Sequence, residues 1–206
     1  MTTSKVASSL SGEMNGVDLA APIRTSRLLL RALGEPDVAA LVAYRSQPEV
    51  CRWVPFEPMD ADAVRDRLEG PWAQLALERE GDAVVLGVEV EATGELVGDV
   101  MLRWVSVEHR TGEIGYVLHP KHAGQGYATE AAHGLLHTAF DELVLQRVIA
   151  RVVAANLASA RVAVRLGMRQ EAHLVESEWF KGAWIDELVF ALLEREWRAQ
   201  HESGCP

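Results

Sequence analysis

Apolar side chains fall at Ala128, Ala131, Ala132, Leu135, Leu136, Ala139 and Phe140, in steps of three and four. That period predicts one amphipathic helix over Ala128–Phe140. Before it, Glu113-Ile114-Gly115-Tyr116-Val117-Leu118-His119 reads as a strand, and Gly124 and Gly126 lie between the two. The order is strand, glycine loop, helix. After the helix, Gln146–Ala154 is β-branched and apolar through Val148, Ile149, Val152 and Val153. A strand in that place makes a βαβ unit and a parallel pairing the expectation.

The same reading extends along the chain. Thr25–Leu33, with leucine at 28, 29 and 30, is a first strand. Gly34-Glu35-Pro36-Asp37 is a turn, with Asp37 as N-cap of a helix over Val38–Ser46 that Pro48 ends. Val50–Met59, with Trp53, Pro55, Phe56 and Pro58, is an aromatic loop. Asp60–Glu69 and Trp72–Glu80 read as helical pieces broken at Gly70-Pro71. Ala83–Val90 and Leu96–Val107 form a hairpin about Thr93-Gly94, with a candidate bulge near Gly98. Asn156–Leu166 is a helix that Gly167 terminates. Met168–Phe180 and Trp184–Leu193 form a closing hairpin, and Glu194–His201 is a short terminal helix. The class is mixed α/β around one central sheet.

Composition narrows the function classes. With 206 residues, 49% of them hydrophobic and 24% charged, one globular domain over residues 22–201 is expected. Residues 1–21 are Ser/Gly-rich and read as a flexible tail, and 202–206 as a second tail. Neither a signal peptide nor a membrane-spanning run is visible. Cys51 and Cys205 make no disulfide framework or zinc spacing, so no metal is expected and a cytoplasmic location fits. The net charge of −10 argues against nucleic acid and anionic membrane as partners, and is compatible with a cationic amine acceptor.

A glycine loop between strand and helix can offer several backbone N–H groups to one anion. Tyr127, Ala128 and Thr129 follow Gly126. The lysine of a P-loop is therefore absent, and triphosphate hydrolysis is not expected. A dinucleotide site is also disfavoured, because GQGYAT is not G-x-G-x-x-G.

Together, Glu113–Leu118, Gly124-Gln125-Gly126-Tyr127-Ala128-Thr129-Glu130-Ala131, Asn156–Ser159 and Leu166-Gly167-Met168 resemble the GCN5-related N-acetyltransferases. Thr25–Arg31 resembles the first strand of the RimJ/RimL-type branch, which acetylates ribosomal-protein N-termini. The resemblance covers residues 23–195. It implies a mostly antiparallel twisted sheet flanked by helices, with one splayed parallel strand pair. The implied activity is transfer of an acetyl group from acetyl-CoA to a primary amine, a protein N-terminus or a small molecule, by direct attack. A non-catalytic acyl-CoA sensor of the same fold is the alternative.

The resemblance also implies roles for individual residues. The pyrophosphate signature aligns with Ala123–Ala128, departing at Ala123, which lacks the usual polar side chain; the amides of Gln125 to Thr129 remain. Backbone groups of Val117 and His119 are expected to pair with pantetheine. A backbone N–H at Val117 or Leu118 is expected to serve the oxyanion. Asn156 resembles the pantetheine-binding asparagine, and is equally a plain helix N-cap. Ser159 resembles a general acid for the departing thiolate. Arg161 and Arg165, four apart on one helix face, are candidates for the 3′-phosphate side. Glu113 is the candidate general base, with Tyr127, His119 or water as alternatives. Trp53, Phe56, Trp104, Trp179 and Trp184 are candidate walls of the acceptor pocket. The last hairpin, with its two tryptophans, is a candidate homodimer surface.

Overall fold

The computed structural model describes residues 16–202. Among these residues, ten strands and six α-helices follow the predicted order with local exceptions. The strands are β1 (Val17–Asp18), β2 (Ile23–Arg24), β3 (Leu28–Arg31), β4 (Ala76–Leu77), β5 (Ala83–Val90), β6 (Glu95–Ser106), β7 (Thr111–Leu118), β8 (Arg147–Val153), β9 (Arg169–Phe180) and β10 (Ala183–Leu193). The helices are α1 (Val38–Arg45), α2 (Pro48–Cys51), α3 (Ala61–Glu69), α4 (Tyr127–His137), α5 (Leu157–Arg165) and α6 (Glu194–Glu202). Eight strands form one sheet in the order β2-β3-β5-β6-β7-β8-β10-β9, and β1 pairs with β4 alone.

Every neighbouring pair in the large sheet is antiparallel except β7 and β8. These two pair in parallel only at Thr111↔Arg147, Gly112↔Val148 and Glu113↔Ile149. Beyond that point β7 stays with β6 as far as Leu118↔Gly98, while β8 stays with β10 as far as Val153↔Glu187. The sheet therefore opens as a fork between residues 114–118 and 150–153. A bulge at Val97, where Glu89 faces Leu96 and Val88 faces Gly98, and a register shift between Ile185 and Glu187 add twist on either side of it.

Alternation along the strands divides the side chains between two faces. Leu86, Val88, Val100, Leu102, Ile114, Val148, Ala150, Val152 and Phe190 join the larger core, closed by Ala131, Ala132, Leu135 and Leu136 of α4 and Val162 and Ala163 of α5. The opposite face carries a smaller core of Leu41 and Tyr44 from α1, Val64 from α3, Met59, Trp72 and Leu96, with Val85 and Val117 packed against it. A buried polar group joins α1 to the sheet here: Asp99 accepts from the Tyr44 hydroxyl at 2.5 Å and pairs with Arg45.

Several local expectations are corrected. Trp72–Glu80 is not helical; Gly70-Pro71 is followed by a turn and β4, which β1 partners. That pairing, and the burial of Leu19, bring residues 17–19 into the packed structure instead of a tail. Residues 1–15 and 203–206 of the expected tails lie outside the described residues. Pro48 starts α2 at its first position, where the missing N–H costs no hydrogen bond. Asp37 precedes α1 but does not cap it; its carboxylate takes two hydrogen bonds from Arg31 and one from the Gly34 amide. No described helix is long and apolar enough to cross a membrane.

Candidate functional site

The strand-to-helix connection is held from three sides. His119 follows β7, and its Nδ1 accepts from the Lys121 amide at 3.1 Å, opening a single turn over Pro120–His122. Glu95 takes hydrogen-bond contacts from Lys121 Nζ at 3.3 Å and His122 Nε2 at 3.2 Å. Gly124 and Gly126 then adopt φ of +79° and +83°, the left-handed region that favours glycine, and α4 begins at Tyr127. The first helical amide with an internal partner is that of Glu130, bonded to the Gly126 carbonyl at 3.0 Å. Among the described residues, the amides of Gln125 to Thr129 have no protein acceptor. They lie at the positive end of the α4 dipole, an arrangement that can serve as an anion cradle.

Glu130 ties this cradle to the start of β3. Its carboxylate accepts from the Thr25 hydroxyl (2.7 Å), the Ser26 hydroxyl (3.0 Å), the Arg27 amide (2.7 Å) and Arg27 Nε (2.7 Å). Arg27 also donates to the Gln125 carbonyl at 3.1 Å and lies 4.8 Å from the centre of the Tyr127 ring. Burial works against ionisation of Glu130, but the hydrogen bonds from Thr25 and Arg27 outweigh it and hold the carboxyl below its ordinary range. An open groove of about 510 Å³ beside the loop is lined by Gly124, Gln125, Gly126, Thr129, Glu130, His133 and Arg165. Arg165 thus joins the cradle, whereas Arg161 lies on the exposed helix surface and does not line the groove.

The fork supplies the second part of the site. The His119 amide donates to the Val97 carbonyl at 2.8 Å, and a Cβ at Gly98 would run into the Val117 carbonyl. Both Val117 and His119 therefore turn their backbone groups toward β6. The expectation that these two pair with a ligand in the fork is overturned by strand alternation, which directs Tyr116 and Leu118 there instead. Of the two candidate oxyanion donors, Leu118 is the one that faces the gap.

Across the fork stands α5. Asn156 precedes it, and its side-chain oxygen caps the Ser159 amide at 3.2 Å. The N-cap reading of Asn156 holds for its oxygen, and its NH2 has no partner among the described residues. The Ser159 hydroxyl donates to the Tyr116 hydroxyl at 3.2 Å, and the Tyr116 hydroxyl donates to the Ser159 carbonyl at 2.8 Å. Burial pushes the Tyr116 phenol above its ordinary value, opposed by its hydrogen bond with Ser159. Tyr116 is absent from the residues singled out by sequence. The signal was present: in Gly112, Ile114, Tyr116 and Leu118, alternation puts Tyr116 on the core face, where a phenol needs a buried partner.

Glu113 lies at the vertex of the fork on the opposite face, the last β7 residue paired with β8. Its carboxylate is 3.8 Å from Arg103, its neighbour across β6. Burial pushes the Glu113 carboxyl up; Arg103 and Arg151 oppose this, and Glu187 adds to it. Arg151 is itself 2.8 Å from Glu187, a buried carboxylate that sequence reasoning did not single out. Arg103, Glu113, Arg151 and Glu187 thus form a row of alternating charge across four strands.

The expected aromatic walls separate. Trp104 is 1% exposed in the larger core and lines no acceptor pocket, because its position on β6 has the parity of Val100 and Leu102. Phe56 and Trp53 occupy the loop after α2, Phe56 with the Arg45 guanidinium 4.5 Å from its ring centre. Trp179 and Trp184 pack edge to face at 5.5 Å near the β9–β10 tip and are 60% and 57% exposed. That tip docks on the aromatic loop: Lys181 Nζ donates to the carbonyls of Cys51 (2.9 Å) and Phe56 (2.7 Å) and lies 3.3 Å from Glu57. Among the described residues no His, Cys, Asp or Glu cluster is arranged to hold a metal ion.

Comparison with known proteins places these features in context. The family described as Acetyltransferase (GNAT) domain matches residues 27–169. An uncharacterised N-acetyltransferase of Bacillus licheniformis, p20, is 33% identical over 174 residues, 84% of this chain and 96% of that one. The ribosomal-protein-serine acetyltransferase of Escherichia coli (strain K12) is 31% identical over 97 residues, 47% of this chain and 54% of that one. The crystal structure of a GNAT-family acetyltransferase from Bacillus anthracis superposes with a TM-score of 0.76 at 31% identity, covering 85% of this chain and all of that one.

Proposed function

The chain belongs to the GNAT family of N-acetyltransferases, and from that premise we propose that it transfers an acetyl group from acetyl-CoA to the primary amine of a protein N-terminus or small molecule. The observation that carries this reading is the fork. A sheet that parts after three parallel residue pairs leaves backbone edges for an extended ligand, and the anion cradle lies at its open end.

The cradle fits a pyrophosphate by a property of the chain itself: successive amides with no protein acceptor, in a loop where Cβ atoms at Gly124 and Gly126 would meet little protein. In this reading the amides of Gln125 to Thr129 hold the pyrophosphate and Arg165 serves the 3′-phosphate side. Tyr116, Leu118 and the Asn156 NH2 line the course of the pantetheine. The amine attacks the thioester as a neutral nucleophile. Glu113, kept more basic than an exposed carboxylate, takes its proton directly or through water. The Leu118 amide stabilises the oxyanion. As the C–S bond breaks, the sulfur keeps the electron pair and takes a proton from Ser159.

The acceptor reaches Glu113 from the face opposite α4 and α5, past Phe56, Trp53 and the docked hairpin tip. The similarity to an enzyme named for ribosomal-protein serine makes a peptide with an N-terminal serine the first acceptor to test. The experiment is thiol release from acetyl-CoA against a panel of peptide N-termini and small amines, with product mass confirmed. Amine-dependent turnover supports the proposal. CoA binding without turnover on any acceptor would identify a sensor instead.

A further inference from the structure

The Tyr116 side chain reaches from β7 to α5. Its hydroxyl meets Ser159 twice, at the carbonyl (2.8 Å) and at Oγ (3.2 Å). Ser159 is held on its other side by Asn156. The backbone of Ser159 is thus fixed on the first turn of α5 by the Asn156 cap, and its hydroxyl meets the Tyr116 phenol. An exposed helix serine with freely rotating Oγ would lack the phenol contact.

We infer that Tyr116 is the positioning residue behind Ser159: it fixes the serine hydroxyl at the fork and resupplies the proton that Ser159 passes to the departing sulfur. The inference rests on the Ser159 role proposed above and adds to it. Its chemical motive is that an alcohol is a far weaker acid than a thiol, so serine alone is poorly matched to protonate a thiolate. A phenol, with an ordinary pKa of about 10 against about 8.5 for a thiol, is a stronger acid than an alcohol even when burial raises it, as it does for Tyr116. The relay direction takes a turn of both hydroxyls about their C–O bonds: the Tyr116 proton moves from the Ser159 carbonyl to Oγ, and the Ser159 proton from Tyr116 to the sulfur.

The step balances. The C–S bond breaks and its electron pair goes to sulfur. Sulfur takes the Ser159 proton, and Ser159 Oγ takes the Tyr116 proton in the same movement. The phenolate regains a proton from water as the thiol leaves, matching the proton that the amine gives to Glu113 or water. Burial disfavours a lasting phenolate, so reprotonation is coupled to product release. The groups around Tyr116 that bear on its charge are Ser159 and the Ala163 backbone from α5.

The test uses Tyr116→Phe, which keeps the ring and its packing, Ser159→Ala, and the double variant. Thermal melting of each checks that the fold persists. The chemical readouts are kcat for thiol release from acetyl-CoA with a peptide bearing an N-terminal serine, or the best acceptor of the panel, and the ultraviolet titration of the thiol of bound CoA. Each single variant is expected to lower kcat by about 10²-fold or more, the scale of one general acid, with the KM for acetyl-CoA little changed. Both should raise the pH at which bound CoA ionises, since each removes a hydroxyl that stabilises the thiolate. The double variant should match the worse single variant within a factor of about two, because one relay is lost only once.

If Ser159→Ala loses activity and Tyr116→Phe does not, the inference fails and the Ser159 role stands. Equal and multiplicative losses would also overturn it, because the two hydroxyls would then act separately. If Tyr116→Phe loses activity and Ser159→Ala does not, the phenol acts without the serine and the relay is wrong. If neither variant changes kcat or the thiol titration, the Ser159 role falls, and the inference falls with it.

Discussion

Replacing Gly124 by alanine separates binding from folding. The position has φ +79°, and a Cβ there would meet nothing within 4 Å. The folded chain therefore suffers only the left-handed backbone penalty, about 1–2 kcal/mol for a residue with a Cβ. In a domain of this size each kcal/mol lowers the melting temperature by roughly 2–4 °C. Gly124 lines the groove, so under the cradle reading the added methyl group competes with an anion for the space beside the amides. Displacing one hydrogen bond to a charged group costs roughly 1.5–3 kcal/mol, or about 10- to 150-fold in Kd. Gly94→Ala is the matched control: φ is +68°, the space around it is also open, and it lies in the β5–β6 turn. Calorimetric titration with CoA and ligand-free melting should show similar small stability losses in both variants, and weakened CoA binding in Gly124→Ala alone. A pantetheine fragment without the pyrophosphate should bind wild type and Gly124→Ala alike. Unchanged CoA affinity in Gly124→Ala, or equal weakening in both variants, would refute the cradle.

Three further outcomes are expected. With a weakly basic amine as acceptor, kcat/KM should fall as pH drops through a value above the ordinary glutamate pKa of about 4.3, since burial raises Glu113 and the base must be ionised to act; Glu113→Gln should lower the rate and flatten that limb, as pH–rate profiles will show. Arg45→Met leaves Asp99 buried without its cation and should destabilise the protein by about 3–5 kcal/mol in urea unfolding, a larger loss than for any exposed ion pair. Lys181→Met frees the hairpin tip from the Cys51 and Phe56 carbonyls; it should raise the acceptor KM severalfold and leave CoA affinity unchanged by calorimetry.

Much of the fold was legible because long, strongly patterned segments settle their own state. Ala83–Val90 matches its strand to the residue, and the period of Ala128–Phe140 finds α4 and the turn that continues it. Trp72–Glu80 failed because apolar Trp72, Ala73, Leu75, Ala76 and Leu77 suit a helix as well as a turn and a two-residue strand, and the partner of that strand lies some sixty residues earlier, at Val17–Asp18. In the site, what local sequence decides is local geometry. The loop glycines, the Asn156 cap and the place of Ser159 depend on nearby chain. Contacts across the sheet did not. Val117 and His119 were misassigned because the bulge at Val97 decides which carbonyl meets the His119 amide, and one residue of parity exchanges the edge facing β6 for the edge facing the fork. Trp104 was misassigned for a related reason: parity alone put it in the core, and its aromatic character had suggested a pocket.

The same parity divides the work of the site. Even-numbered positions of β7 face α4 and α5, where Tyr116 reaches Ser159; odd-numbered positions face α1 and the aromatic loop, where Glu113 and Val117 lie. A donor cradled by α4 and threaded into the fork therefore meets one set of side chains, and an amine approaching from the other face meets another. The sheet between them is one strand thick, and at the fork it is open, which is the place where two ligands held on opposite faces can touch. Substitutions on the α4–α5 side should act first on the donor, and those in the 51–57 loop or at Lys181 first on the acceptor. Only residues at the fork, Glu113 and the Tyr116–Ser159 pair, should act on the chemical step itself.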